Sequence, residues 1–412
     1  MILAIYKLLG SIVHLVLLPI GLLLWATGSS KWRDRLGLIR IDGPYDVWIH
    51  ASSMGEVHVV KHLVDFLLRE RPGLKIYLTT MTQTGHDAAA KLMPESVRVG
   101  FLPLDTPLAV ASTFRRIRPR VLAIAETEIW PSLISAASAR SVSIVQVNGR
   151  MTEKALQSYL RLESSFRYLL SKHNRFFFKS QPDADRYARL GVGSDRGEVA
   201  GDMKFDAPLL PRDPGEIALL RSSLRMESDG FLFVAGSTRK GEDQLIVKAC
   251  ERLLRQYQSL RIALVPRHIE RSAQLLAELK AIGASASLID EFSGSERVLL
   301  VDKMGVLNQY YLAADLAFVG GTLVPIGGHN LLEPVWAGTP VAFGPETSNV
   351  TEAAEYIERE EYGAQVKNAE ELAELIEQCI LGSRQFSTKE ESDMDRSAVS
   401  RCGSYILEHV DA

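Results

Sequence analysis

Three carboxylates and a lysine in the first half of the chain have the types and settings to do chemistry. Glu56 lies in VWIHASSMGEVHVV (47–60), where an apolar, strand-like run loosens into Ala-Ser-Ser-Met-Gly and then turns helical. Ser53 and Glu56 have the S-x-x-E spacing of a capping box, which ties up N–H groups at a helix start. The same place, a strand-to-helix turn at the carboxyl edge of a parallel sheet, is where α/β proteins keep reactive groups. Both readings stand on the local sequence. AIAETEIWP (123–131) sets Glu126 and Glu128 just past a second apolar run. They are either helix-start residues before Trp130-Pro131 or a second acidic group on the same edge. LTTMTQTGHD (78–87) is a hydroxyl-rich loop of the kind that suits sugar or phosphate, although threonine is common in loops. Lys204, in GDMKFD (201–206), either reaches into a site or is simply solvated.

The second half offers turns suited to an anion. VGGTLVPIGGHNLLEP (319–334) ends a strand in Gly320-Gly321 and leads through Gly327-Gly328 to a helix opened by Asn330. Paired glycines let a ligand approach the backbone, and a helix start presents N–H groups to negative charge. Glu333 can accept hydrogen bonds from vicinal ribose hydroxyls; equally, Asn330 and Glu333 can form an N-x-x-E cap. DKMGVLNQYYLAAD (302–315) places Met304-Gly305 at another strand-to-helix turn. LVPRH (264–268) ends a strand with Arg267, whose guanidinium can fork onto phosphate or carboxylate. Three such turns along one sheet edge suggest a nucleotide-binding domain.

Other chemistries find no support. Asp183-x-Asp185 sits in the first turn of an expected helix, where acids favour the dipole, so no metal is expected there. No G-x-G-x-x-G follows a strand, and neither a G-x-S-x-G elbow nor a Walker A sequence occurs. His58 and His62 stand four apart with no further ligand nearby.

The elements that must position these residues alternate along the chain. Strand-like runs occur at 46–51, 75–80, 97–103, 120–125, 142–147 and 175–180, with helical patterns between them such as Val57, Val60, Val64, Leu67 and Leu68. The series restarts at 230–237, 260–266, 297–302, 315–321 and 340–344. Short apolar runs separated by helices indicate parallel sheets covered on both faces. The seam is AGDMKFDAPLLPRDPGE (200–216), where Pro208, Pro211 and Pro214 break regular structure. The acidic stretch 351–377 reads as solvated helix surface. The expectation is an α/β chain of two doubly wound Rossmann-like domains facing a cleft.

A length of 412 residues suits two domains. A net charge of −3 argues against nucleic acid as the main partner. Three scattered cysteines build neither a disulfide framework nor a zinc pattern, which favours a reducing compartment. From Leu8 to Ser30 there is no charged residue, and Lys31, Arg33, Arg35 and Arg40 follow at once. Such a run can cross a bilayer or lie in its surface, and the basic flank places the bulk of the protein in the cytosol. A cleaved signal peptide is the competing reading; the weak basic n-region and the basic cluster after the run oppose it. Pro19 and His14 leave spanning and interfacial placement both open.

Taken together, SMGE (53–56), TTMTQTG (79–85), ETEIWP (126–131), GDMKFD (201–206), AGST (235–238), VPRH (265–268), MG (304–305), ADLAFVGGTL (314–323) and GGHNLLEP (327–334) closely resemble the Kdo transferases. These enzymes attach 3-deoxy-D-manno-octulosonic acid to the lipid A precursor of lipopolysaccharide. The resemblance runs to about residue 350. It implies a GT-B fold with an anchor helix (1–30), an acceptor-binding domain (31–207) and a domain for CMP-Kdo (208–412). It implies inverting transfer at the cytoplasmic face of the inner membrane, with neither metal nor cofactor. Glu56 matches the family's general base, and Glu126 and Lys204 match transition-state stabilisers. Pro266, Arg267, Met304, Gly305, Val306, Asn330, Leu331, Leu332 and Glu333 match the segments that contact CMP. The chain departs from the family at Val306, where Glu is common, at Leu331, where Pro is common, and at Arg239-Lys240, where the family is acidic. Two other functions compete: transfer from a UDP-sugar to a lipid-linked acceptor on the same architecture, and a catalytically inactive, membrane-anchored binding protein. The joint presence of Glu56, Glu126, Lys204 and Arg267 opposes the second.

Overall fold

The computed structural model describes residues 2–26, 30–41, 43–207, 209–390 and 397–411. Pro208 of the expected seam lies outside them. The chain forms two compact units, Met1–Ala207 with Ser392–Ala412, and Pro208–Glu391.

In the first unit the strands are β1 (Val47–His50), β2 (Ile76–Thr80), β3 (Arg98–Phe101), β4 (Val121–Ala125), β5 (Ser143–Gly149), β6 (Arg175–Phe178) and β7 (Gly197–Val199). They form one sheet in the order β3-β2-β1-β4-β5-β6-β7, with every pairing parallel. β1, β2 and β4 are buried along their whole length, which is why they read as unbroken apolar runs. The order reverses between β1 and β4, and the crevice beyond their carboxyl ends is where such sheets hold ligands.

The second unit repeats the design with β8 (Phe231–Thr238), β9 (Leu260–Pro266), β10 (Ala286–Leu288), β11 (Val298–Leu300), β12 (Leu316–Val319), β13 (Val341–Phe343) and β14 (Gly363–Gln365). Their order is β10-β11-β9-β8-β12-β13-β14, again all parallel. Its switch point falls between β8 and β12. Two Rossmann-like sheets in one chain are the parts of a GT-B fold. Helix starts follow the sequence closely: Thr82, Thr106, Thr152, Ser180 and Asn368 each accept an N–H from the first turn of their own helix.

Two expectations need correction. The stretch 351–377 is not merely solvated surface. Its helices Thr351–Arg359 and Ala369–Ile380 flank β14 and bury Ile357, Leu372 and Ile376. The second domain, in turn, does not run to residue 412. The last helix, Ala398–Asp411, packs on the helix Met54–Glu70 of the first unit, with Ala398, Val399, Cys402, Ile406 and Val410 in its core. Polar contacts fix it there: the Val399 N–H donates to Asp206 Oδ2 at 2.9 Å, Arg401 Nη1 reaches Glu198 at 3.1 Å, and Arg71 pairs with Asp411. An amphipathic stripe states that a helix must be buried, but not against which sheet.

Gly403 is the point of closest approach. A Cβ there would lie 2.3 Å from Cδ1 of Phe66. Gly403→Ala therefore forces Phe66 or the helix to move, and the expected cost is about 1–3 kcal/mol of unfolding free energy, measured by urea denaturation. An unchanged midpoint would show that the packing gives way freely.

The apolar N-terminal helix, Ile2–Ala26, is long and apolar enough to cross a membrane. One stripe of it lies on the first unit. Tyr6 Oη donates to Asp105 Oδ2 at 2.9 Å, His14 Nδ1 lies 3.1 Å from Thr106 Oγ1, and Gly21 sits against Leu36. The opposite side presents Leu8, Leu9, Ile12, Val13, Leu15, Val16 and Leu23 outward.

Candidate functional site

Glu56 is positioned by the way β1 ends. The strand stops at His50, and Ser53 caps the following helix with its hydroxyl, which accepts the Glu56 N–H at 3.4 Å. The carboxylate turns back over this cap: Ser52 N–H donates to Oε2 at 2.9 Å and Ser53 Oγ–H donates to Oε1 at 3.0 Å. The capping-box geometry is therefore real, shifted by one residue on the backbone side. It leaves Glu56 only 8% exposed. Burial pushes its carboxyl up to about 7, and the negative Glu128 and Glu126 push the same way against the Ser52 and Ser53 donors. A carboxylate so placed takes up a proton near neutrality.

Beneath it lies a polar chain that the sequence reading did not assemble. His50 is fully buried, and its Nδ1–H points at the Thr79 carbonyl, 3.1 Å away. That partner fixes the tautomer, so Nε2 accepts from Ser52 Oγ at 3.3 Å. Burial lowers the imidazole to about 3, so it stays uncharged. Ser52 thus ties the His50 ring to the Glu56 carboxylate through one residue's hydroxyl and N–H. Glu128 also lies near Ser52 and Trp130: burial raises its carboxyl, and these polar neighbours pull it back.

Glu126 is the first residue after β4 and adopts φ +52°, a left-handed conformation that a non-glycine residue takes only where its surroundings impose it. Its N–H donates to the Val147 carbonyl at 3.0 Å, and its own carbonyl accepts Tyr187 Oη at 3.2 Å. Both expected carboxylates therefore stand at the β1/β4 switch point, close enough to act on one another's charge, with Glu128 as a third. Lys204 occupies a short 3-10 turn, Met203–Phe205, packed against the helix that carries Glu56. Asp202 caps that turn, accepting the Lys204 N–H at 3.0 Å, and pairs with Lys179 at 2.9 Å. Among the described residues the Lys204 ammonium has no ion pair. Asp183, the first acid of the DxD, is structural: it is buried and accepts the Met151 N–H at 2.9 Å.

In the second unit the expected anion turns divide. Pro266 is the buried end of β9, and Arg267 follows with its N–H bound to Thr238 O at 3.1 Å and its side chain exposed. Met304 is 72% exposed and Gly305 has φ +78°, so this turn presents backbone to solvent just before Val306 and the helix Leu307–Ala313. Asn330 Oδ1 accepts the Leu332 N–H at 3.2 Å, and its Nδ2 donates to Glu333 Oε1 at 3.3 Å. Burial raises the Glu333 carboxyl, while Asn330 and the Arg267 charge lower it. Leu331 and Leu332 are buried, so only their peptide groups can meet a ligand.

The Gly320-Gly321 turn is not a free cradle. Gly320 is needed because a Cβ there would lie 2.5 Å from the Ser237 carbonyl oxygen. The N–H groups of Gly321, Thr322 and Leu323 all point at one buried carboxylate, Glu242, at 2.7, 3.1 and 2.9 Å, and Arg239 N–H joins them at 2.8 Å. The protein supplies its own anion there. Glu242 escaped the sequence reading; its one signal is an acidic pair directly after Gly241 at the β8 turn.

Comparison with known proteins follows the same lines. A family model described as 3-Deoxy-D-manno-octulosonic-acid transferase (kdotransferase) matches residues 30–207. The chain is 33% identical to the 3-deoxy-D-manno-octulosonic acid transferase of Haemophilus influenzae over 82% of its own length and 81% of that protein's. It is 30% identical to the one from Aquifex aeolicus, over 84% and 89%. A bifunctional glycosyltransferase/methyltransferase of Fusobacterium nucleatum is 35% identical over 78% of this chain, which spans only half that protein's length.

Proposed function

The chain belongs to the 3-deoxy-D-manno-octulosonic acid transferase family, and on that premise we propose that it moves Kdo from CMP-Kdo onto a hydroxyl of the lipid A precursor, lipid IVA. The observation that carries the mechanism is the Glu56 carboxylate, poised near neutrality at the switch point of the first sheet. In this reading the acceptor oxygen attacks the anomeric carbon from the face opposite the phosphate, forming the new C–O bond as the sugar–phosphate bond breaks. The electron pair leaves with CMP, Glu56 takes the hydroxyl proton, and the configuration inverts. CMP is a good leaving group, so a base and a cationic environment suffice, and neither metal nor cofactor is called for. Lys204 and Glu126 are assigned to stabilising the charge that develops. Pro266, Arg267, the Met304–Val306 turn and the Asn330–Glu333 segment are assigned to CMP. The outward apolar side of the helix Ile2–Ala26 supports attachment to a membrane, lying in the lipid surface where an acylated acceptor is presented, and the basic residues Lys31, Arg33, Arg35 and Arg40 after it support the cytoplasmic face of the inner membrane.

Incubation with lipid IVA and a CMP-Kdo-generating system tests this reading. The expected result is Kdo-modified lipid with release of CMP, together with a higher melting temperature in CMP than in UDP. Equal stabilisation by UDP with transfer from a UDP-sugar would replace the donor. No transfer from either donor, with nucleotide binding intact, would leave a binding protein.

A further inference from the structure

Arg239 stands in the turn that follows β8. It is half-buried, and its orientation is fixed by two imidazoles. Nε–H donates to His329 Nε2 at 2.9 Å and Nη1–H donates to His268 Nε2 at 2.7 Å. A guanidinium has only donors, so each ring presents a lone pair there. His268 is turned for this by Glu270, whose carboxylate takes its Nδ1–H at 3.0 Å. His329 is held below its ordinary pKa by burial and by Arg239, Arg267 and His268 around it.

This arrangement aims a cation without neutralising it. Among the described residues Arg239 forms no ion pair, and Nη2 has no hydrogen-bond partner. The nearest carboxylate on its own turn, Glu242, takes only its backbone N–H. Arg267 adds a second guanidinium from the neighbouring strand end, where the charges of both arginines act on His329. The N–H groups of the glycine turn are already consumed by Glu242, so anion binding at this turn falls to side chains.

We propose that Arg239 grips the carboxylate of the transferred sugar acid, completing a two-anion donor site in which Arg267 serves the phosphate. The proposal rests on the donor reading above. Kdo is an ulosonic acid, so its CMP conjugate carries a carboxylate beside the phosphate, and a planar fork held in place suits a carboxylate. Orientation by imidazoles removes part of the ordering cost of binding.

The test compares wild type, Arg239→Gln and Arg239→Lys, with CMP binding measured by calorimetry and donor KM by transfer to lipid IVA. Arg239→Gln is expected to raise the KM for CMP-Kdo by about tenfold or more, the scale of a lost charge-assisted hydrogen bond. CMP affinity should stay within about twofold of wild type, which also reports that the unit is folded; Lys should fall between the two. An unchanged donor KM overturns the proposal. So does a loss of CMP affinity equal to the rise in KM, which would assign Arg239 to the phosphate. Wild-type protein that binds no CMP and transfers no Kdo would instead overturn the donor reading itself.

Discussion

Replacing Glu56 by glutamine is expected to abolish most transfer, with kcat reduced by about 10²–10⁴-fold, while the melting temperature at neutral pH stays at or above that of wild type. Glutamine still accepts the Ser52 N–H and can donate to Ser53 Oγ, so the helix cap survives while the base is lost. The expected wild-type profile rises with pH through about 7, because the carboxyl must be ionised to take the acceptor's proton. Stability runs the other way. The folded pKa lies above the ordinary carboxyl value of 4.5, so the native state binds the extra proton in the window between 4.5 and about 7. The contribution of Glu56 is fully present below that window and is lost as pH rises through it, by up to about 3 kcal/mol. Glutamine does not titrate and should escape this loss. Full activity in Glu56→Gln, or a variant that merely melts, would remove Glu56 from the chemistry.

The second large effect belongs to Glu242. Glu242→Leu leaves four backbone N–H groups of the β8 and β12 turns facing an apolar side chain. Each buried unpaired donor costs about 1–3 kcal/mol, and the losses here are not additive because the turns relax together. The expected outcome is a destabilisation of about 3–5 kcal/mol and at least a tenfold loss of CMP affinity. Glu242→Gln should fare better than Leu, since its carbonyl can keep part of the set. If Glu242→Leu bound CMP as tightly as wild type, the two turns would not be held by this carboxylate.

How much of this was legible depends on what each signal encodes. β1, β4, β8 and β12 announce themselves because strands buried on both faces must be apolar throughout. β7, β10 and β14 do not. Each has three residues and lies at a sheet edge, and GEV, ASL and GAQ contain too little apolar surface to mark a strand. Glu56 and Glu126 were legible as residues that follow core strands, because that position alone brings them to a switch point. Their mutual influence was not, nor was the His50–Thr79 contact that fixes the ring beneath them, since those links join segments on adjacent strands. The glycine turn was misread for the same reason: nothing near Gly321 in sequence reveals that Glu242, some eighty residues earlier, fills it.

The C-terminal helix bears on how the chain is made. The helix that carries Glu56 precedes the whole second unit in the chain, yet a surface it packs against is supplied by residues 398–411. Phe66 and Gly403 can meet only after the entire second unit has emerged. The second unit can thus acquire its final packing during synthesis, while the first must wait, its Val399, Cys402 and Ile406 partners not yet translated. A nascent chain that stops short of that helix therefore leaves this side of the Glu56 helix uncovered.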